Sequence, residues 1–62
     1  MFIAIDRPFF GELLLNSDYI VEMRATSVKL NDQTHKVTRI VMSDGKEHDA
    51  FETLPVIRNR LS

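Results

Sequence analysis

Apolar and polar positions alternate in short segments divided by turn residues, a pattern that predicts strands over most of the chain. Phe2-Ile3-Ala4-Ile5 is a continuous apolar run, which reads as a short strand covered on both faces. Asp6-Arg7-Pro8 ends it, because proline removes a ladder donor and biases Arg7 towards extended geometry. Phe9 and Phe10 follow, Gly11 permits a turn, and Glu12 to Leu15 forms a second strand, again apolar on both faces. Asn16-Ser17-Asp18 is a loop, since these side chains bond their own backbone in preference to a ladder.

The best alternation runs from Tyr19 to Leu30, with Met23 and Ala25 on one face and Arg24, Thr26 and Val28 on the other. Asn31 to Thr34 reverses the chain and Lys36 to Met42 returns as a strand. If Asp32 and Gln33 are the turn, Val28 opposes Val37, Ala25 opposes Ile40 and Met23 opposes Met42. The same register sets Lys29 against Lys36, a like-charge pair that argues for a longer loop. Asp44-Gly45 is the strongest hairpin signal and leads into a strand from Glu47 to Phe51. Glu52 to Leu61 reads as a helix: Thr53 stands at its cap, Pro55 lies in its first turn, and Leu54, Ile57 and Leu61 recur on one face.

This order predicts a single α+β domain over residues 1–62, a small antiparallel sheet of about five strands with one short C-terminal helix. One helix leaves a sheet of that size partly bare, so the pattern also predicts a homo-oligomer that buries the rest. Size strengthens the point. A 62-residue chain buries only roughly 60% of its unfolded surface, and such folds usually lean on disulfides, metals or a partner. The chain has no cysteine, and its two histidines, His35 and His48, match no zinc spacing. No apolar run approaches the length of a membrane span. The first residues lack the pattern of a secretory signal, so the expected location is cytoplasmic.

Little in the sequence points to catalysis. Glu47 and Asp49 alternate on one strand face with His48 opposite, which fits a solvated face better than an acid–base pair. Ser17, Ser27 and Ser43 have no elbow motif, and Gly11 and Gly45 make no phosphate loop. We therefore expect a non-enzyme that uses no cofactor or metal. Eight basic against nine acidic residues give a net charge of −1, without the global excess that marks nucleic-acid binding. A local basic set remains: Arg24, Lys29, Lys36 and Arg39 lie on the proposed hairpin, divided between its faces. The aromatic set is Phe9, Phe10 and Tyr19. Adjacent phenylalanines in an extended segment point in opposite directions, so one of Phe9 and Phe10 is expected to meet solvent or a partner.

Two resemblances follow from particular residues. Leu15-Asn16-Ser17-Asp18-Tyr19-Ile20, then Ile40-Val41-Met42-Ser43-Asp44-Gly45 and a helix after Glu52, resemble the FlbD/SwrD family of short bacterial proteins linked to flagellar function. The likeness covers about half the chain. The family's Pro-Asp-Thr-like turn is missing, the interval before Asp44-Gly45 is longer, and the Phe2 to Phe10 segment is extra. Met1, Ile3, Arg7, Gly11, Glu12 and Leu14 resemble the opening of CsrA-type RNA-binding dimers, without that family's glycine-rich middle or Ala-Pro step. That second likeness implies that five strands and a helix can be stable as an intertwined dimer. The sequence-level expectation is a self-associating, protein-binding regulatory module with partner contacts at Phe9, Phe10 and Tyr19. The alternative is a dimeric nucleic-acid-binding regulator of the CsrA-like type.

Overall fold

The computed structural model describes residues 1–62 and divides the five strands between two antiparallel sheets. Strands β1 (Phe2–Arg7) and β2 (Gly11–Asn16) form a hairpin, and β3 (Ile20–Leu30), β4 (Gln33–Met42) and β5 (Glu47–Ala50) form a meander. A 3₁₀ turn at Ser17–Tyr19 joins them, and helix α1 (Leu54–Leu61) closes the chain. The expected single sheet is thus corrected to two, and the division lets each sheet cover one face of the other. The inner face of the hairpin packs on the inner face of the meander, with α1 over the remaining side.

Every layer contributes to one core. Ile3, Ile5 and Leu15 come from the hairpin, Ile40 and Ala50 from the meander, and Ile57 from the helix. Leu13, Ile20, Met23, Met42 and Leu61 pack around them. A bulge explains how Ile20 and Met23, an odd number of residues apart, both reach this core. Ile20 pairs with Met42 and Glu22 with Val41, leaving Val21 without a cross-strand partner and exposed. Sheet and hairpin are joined at β1, where Phe51 N–H donates to Asp6 O at 2.7 Å. Thr38, fully buried, donates its hydroxyl to Glu52 O at 2.8 Å and fixes the approach to the helix.

The turns follow local chemistry. Asn16 Oδ1 accepts from Asp18 N–H at 3.1 Å, and Asp44 Oδ1 from Lys46 N–H at 2.9 Å. Ser43-Asp44-Gly45 is a three-residue hairpin loop closed by Met42 N–H on Lys46 O, with Gly45 at φ +87°. The β3–β4 turn differs from expectation. Its central residues are Asn31 and Asp32, at φ 49° and 62°, and Leu30 pairs with Gln33. Both left-handed angles make a type I′ turn, whose twist suits a two-residue hairpin. The register therefore moves by two: Met23 faces Ile40, Ala25 faces Thr38 and Val28 faces His35. An even shift keeps every side chain on its expected face while separating Lys29 from Lys36. Asp32→Gly should stabilise the fold by about 1 kcal/mol, since glycine lacks the left-handed penalty. A urea midpoint that falls instead would show that the Asp32 side chain contributes more than its backbone geometry costs.

Candidate interaction surface

The tip of the β1–β2 hairpin is built to hold two phenylalanines in water. Phe10 N–H donates to Arg7 O at 3.3 Å, which makes Arg7-Pro8-Phe9-Phe10 a β-turn. Pro8 occupies the second position and is buried, and Phe9 occupies the third at φ +70°. That is type II geometry, where glycine is the unstrained residue. Arg7 braces the loop. Its Nε donates to Gly11 O at 3.1 Å, its Nη2 to Phe10 O at 3.2 Å, and its guanidinium lies 5.5 Å from the Phe10 ring centroid. Phe9 is nonetheless 83% exposed and Phe10 74%.

The expectation that one of the pair would turn inward assumed an extended segment. A turn has no alternating faces, so both rings point out. Beside them lies an open groove of about 480 Å³, lined by Pro8, Phe9, Phe10, Val28, Arg39 and Asp49 among others. Its charged wall is closely paired. Arg39 donates to Asp49 through Nε at 2.9 Å and Nη2 at 3.2 Å, and Glu47 lies 3.9 Å from its Nε. The hydrogen bond to Asp49, and then the Asp49 charge, hold the Arg39 guanidinium above its ordinary pKa, with Glu47 adding and desolvation opposing.

This pairing bears on the basic set. Arg24 and Arg39 stand directly opposite on the face of the meander away from Met23 and Ile40, so the fold does bring them together. It surrounds them with acid: Arg24 bonds Glu22 and lies 3.6 Å from Glu47, while Asp49 takes Arg39. Lys29 and Lys36 sit towards the far end of the β3–β4 ribbon and on its other face, as the alternation required. The four residues therefore do not make one continuous patch.

Tyr19 is separated from the phenylalanines. It follows β2 and they precede it, so a six-residue strand of roughly 20 Å lies between them. Tyr19 is exposed, its carbonyl accepts from Ser43 N–H at 2.8 Å, and it lines a second groove of about 540 Å³ along β2. Leu13, Leu14, Met42 and the Ser43–Lys46 turn complete much of that groove.

Sequence reasoning missed the outer face of the hairpin. Ile3 and Ile5 are buried as expected, but Phe2 is 65% and Leu14 63% exposed, so these strands are covered on one face only. Ala4 pairs with Leu14 on that outer face, with Phe2 one step along. The signal was present in the two apolar runs, which put Phe2, Ala4 and Leu14 on the face away from the core. Elsewhere, His35 packs edge-on against Phe51 at 6.1 Å between centroids, and no three metal-capable side chains converge. No helix is long and apolar enough to cross a membrane. Compared with family models, characterised proteins and solved structures, the chain matches none.

Proposed function

We propose that this chain is a non-enzymatic protein-binding module that acts as a homo-oligomer. The observation that carries the reading is the hairpin tip, where Phe9 and Phe10 are held in solvent by a proline, an arginine brace and a left-handed Phe9. Exposed aromatic residues on a fixed loop are the usual anchors of a protein interface, and backbone strain persists where function requires it. The bare Phe2 and Leu14 face supplies a second contact surface suited to self-association. The Leu15–Ile20 and Ile40–Gly45 segments, resembling FlbD/SwrD proteins, give the proposal a bacterial, cytoplasmic and flagellar setting to test.

Phe9→Gly separates fold from function. It should raise stability by about 1 kcal/mol by removing the left-handed penalty, which shifts the melting temperature upward by about 4–8 °C. The same change should abolish recovery of any protein that the unaltered chain captures specifically from a bacterial lysate, and Phe10→Ala should do likewise. Undiminished capture by both variants would remove the tip from the interface.

Binding of nucleic acid through Arg24, Lys29, Lys36 and Arg39 ranks second. Paired arginines have less charge to offer phosphate, and the lysines lie on the other face. A salt-dependent gel shift of pooled RNA or DNA would promote it.

A further inference from the structure

We infer that the open edge of β2 is the self-association site, and that a second copy of this chain adds its own β2 to it in antiparallel fashion, with Leu14 on the two-fold axis. The inference rests on the homo-oligomer reading above and names its surface. Backbone hydrogen bonding decides which edge is open. Ser17 N–H donates to Met1 O at 2.7 Å, which sets the phase of the β1–β2 ladder. Bonded and non-bonded pairs alternate from there, so Ile3–Leu15 and Ile5–Leu13 exchange bonds while Ala4–Leu14 and Asp6–Glu12 do not. Phe2, Ala4 and Asp6 accordingly face outward from β1, where both groups of Asp6 and the carbonyl of Ala4 are occupied. Ala4 O accepts from Arg60 at 2.8 Å, Asp6 O from Phe51 N–H at 2.7 Å, and Asp6 N–H donates to Glu52 Oε1 at 3.1 Å. On β2 the same alternation turns the N–H and C=O of Glu12 and Leu14 outward, and β2 has no second neighbour.

The remaining edges carry features that discourage pairing. The edge strand β3 has a bulge at Val21 and bears Glu22, Arg24 and Lys29. The short β5 turns only the backbone groups of Glu47 and Asp49 away from β4, beside two carboxylates, and its next residue is already bonded to β1. By contrast β2 reads Gly-Glu-Leu-Leu-Leu-Asn, with no lysine, proline or bulge, and the 540 Å³ groove leaves room alongside it.

The occupant follows from the same six residues. With Leu14 opposite Leu14 of the second copy, their outward N–H and C=O groups exchange bonds across the axis. Glu12, the only charge on the strand, then faces Asn16 of the second copy, so like charges never meet. Leu13 falls opposite Leu15 of the second copy, and the exposed Phe2 and Leu14 faces continue across the seam. An interface of standard size takes about 800 Å² from each partner, close to a fifth of this chain's 4313 Å².

The test exploits the two-fold axis. Sedimentation from low micromolar to millimolar concentration should show the unaltered chain becoming a dimer. Leu14→Lys and Leu14→Glu should each weaken that dimer by roughly 10- to 100-fold, through loss of leucine burial and like-charge contact. An equimolar mixture of the two variants should restore it. In the unaltered chain the Leu14 amide should gain hydrogen-exchange protection as concentration rises, a readout independent of how the variants fold. A chain that stays monomeric at millimolar concentration overturns both this pairing and the homo-oligomer reading. Dimers that persist in both variants, a mixture that fails to rescue, or an unprotected Leu14 amide in the dimer overturn the pairing while leaving self-association intact.

Discussion

Ile40→Ala is expected to lower the stability of the fold by about 2–5 kcal/mol, read as a fall in the urea midpoint of a two-state unfolding curve. Ile40 has no solvent exposure and lies in β4, the central strand of the meander. It meets Ile3, Ile5 and Leu15 from the hairpin, Ala50 from β5 and Ile57 from the helix in one cluster. Removing its outer carbons leaves a void that all three layers border, and a joint of three layers has little freedom to collapse. A chain this size has only about 3–9 kcal/mol in total. Nine of 62 residues are buried, so no second core can compensate. The variant should therefore be largely unfolded in mild denaturant, whereas Ile40→Val should cost about 0.5–1.5 kcal/mol. An unchanged midpoint in Ile40→Ala would mean that the hairpin does not pack on the meander as described.

Much of this arrangement was legible because it is local. The alternation from Tyr19 to Leu30 separated Met23 and Ala25 from Arg24 and Val28, and the faces are as read. Leu54, Ile57 and Leu61 defined the packed side of the helix, with Ile57 fully buried. Asn16 and Asp44 make the turn bonds that their side chains invite. What escaped depends on relations between segments. Choosing Asn31-Asp32 over Asp32-Gln33 as the turn places Arg24 against Arg39, tolerable only because β5 brings Glu47 and Asp49 alongside. No window on β3 and β4 contains that information. The division into two sheets likewise depends on the chain turning between Asn16 and Ile20, where composition announces a loop but gives no angle.

The candidate surface was half legible for the same reason. Phe9 and Phe10 stood out as aromatic and adjacent, but their shared exposure follows from the type II turn that Pro8 starts, a geometry that ordinarily calls for glycine. Folding the hairpin over the meander covers the inner faces of both sheets, so the unsatisfied surface is the hairpin's outer face and its β2 edge. The proposed second copy would cover Phe2 and Leu14 and pair the outward groups of Glu12.

Glu52→Ala should cost about 1.5–2 kcal/mol and change the form of association. The carboxylate sits where β1 would otherwise offer an open edge: Oε1 accepts from Asp6 N–H at 3.1 Å, and Oε2 lies 3.6 Å from Arg60, which itself donates to Ala4 O. Hydrogen bonds to charged groups are worth about 1.5–3 kcal/mol, and partial solvent access at Asp6 argues for the lower part of that range. The melting temperature should then fall by about 4–8 °C for each kcal/mol lost. Alanine leaves Asp6 N–H unpaired and Arg60 without its anchor, so Asp6 N–H and Ala4 O join the outward groups of β2 as pairing sites while Phe51 keeps Asp6 O. A hairpin with one open edge closes as a two-fold pair, whereas one with two open edges can add copies without limit. Sedimentation of Glu52→Ala at high concentration should accordingly show species larger than a dimer, and hydrogen exchange at Asp6 should accelerate. Glu52→Gln keeps an acceptor for Asp6 and should remain a closed pair. If Glu52→Ala stops at the dimer with Asp6 still protected, the edge of β1 is guarded by Phe51 and Arg60 alone, and the carboxylate has no part in limiting assembly.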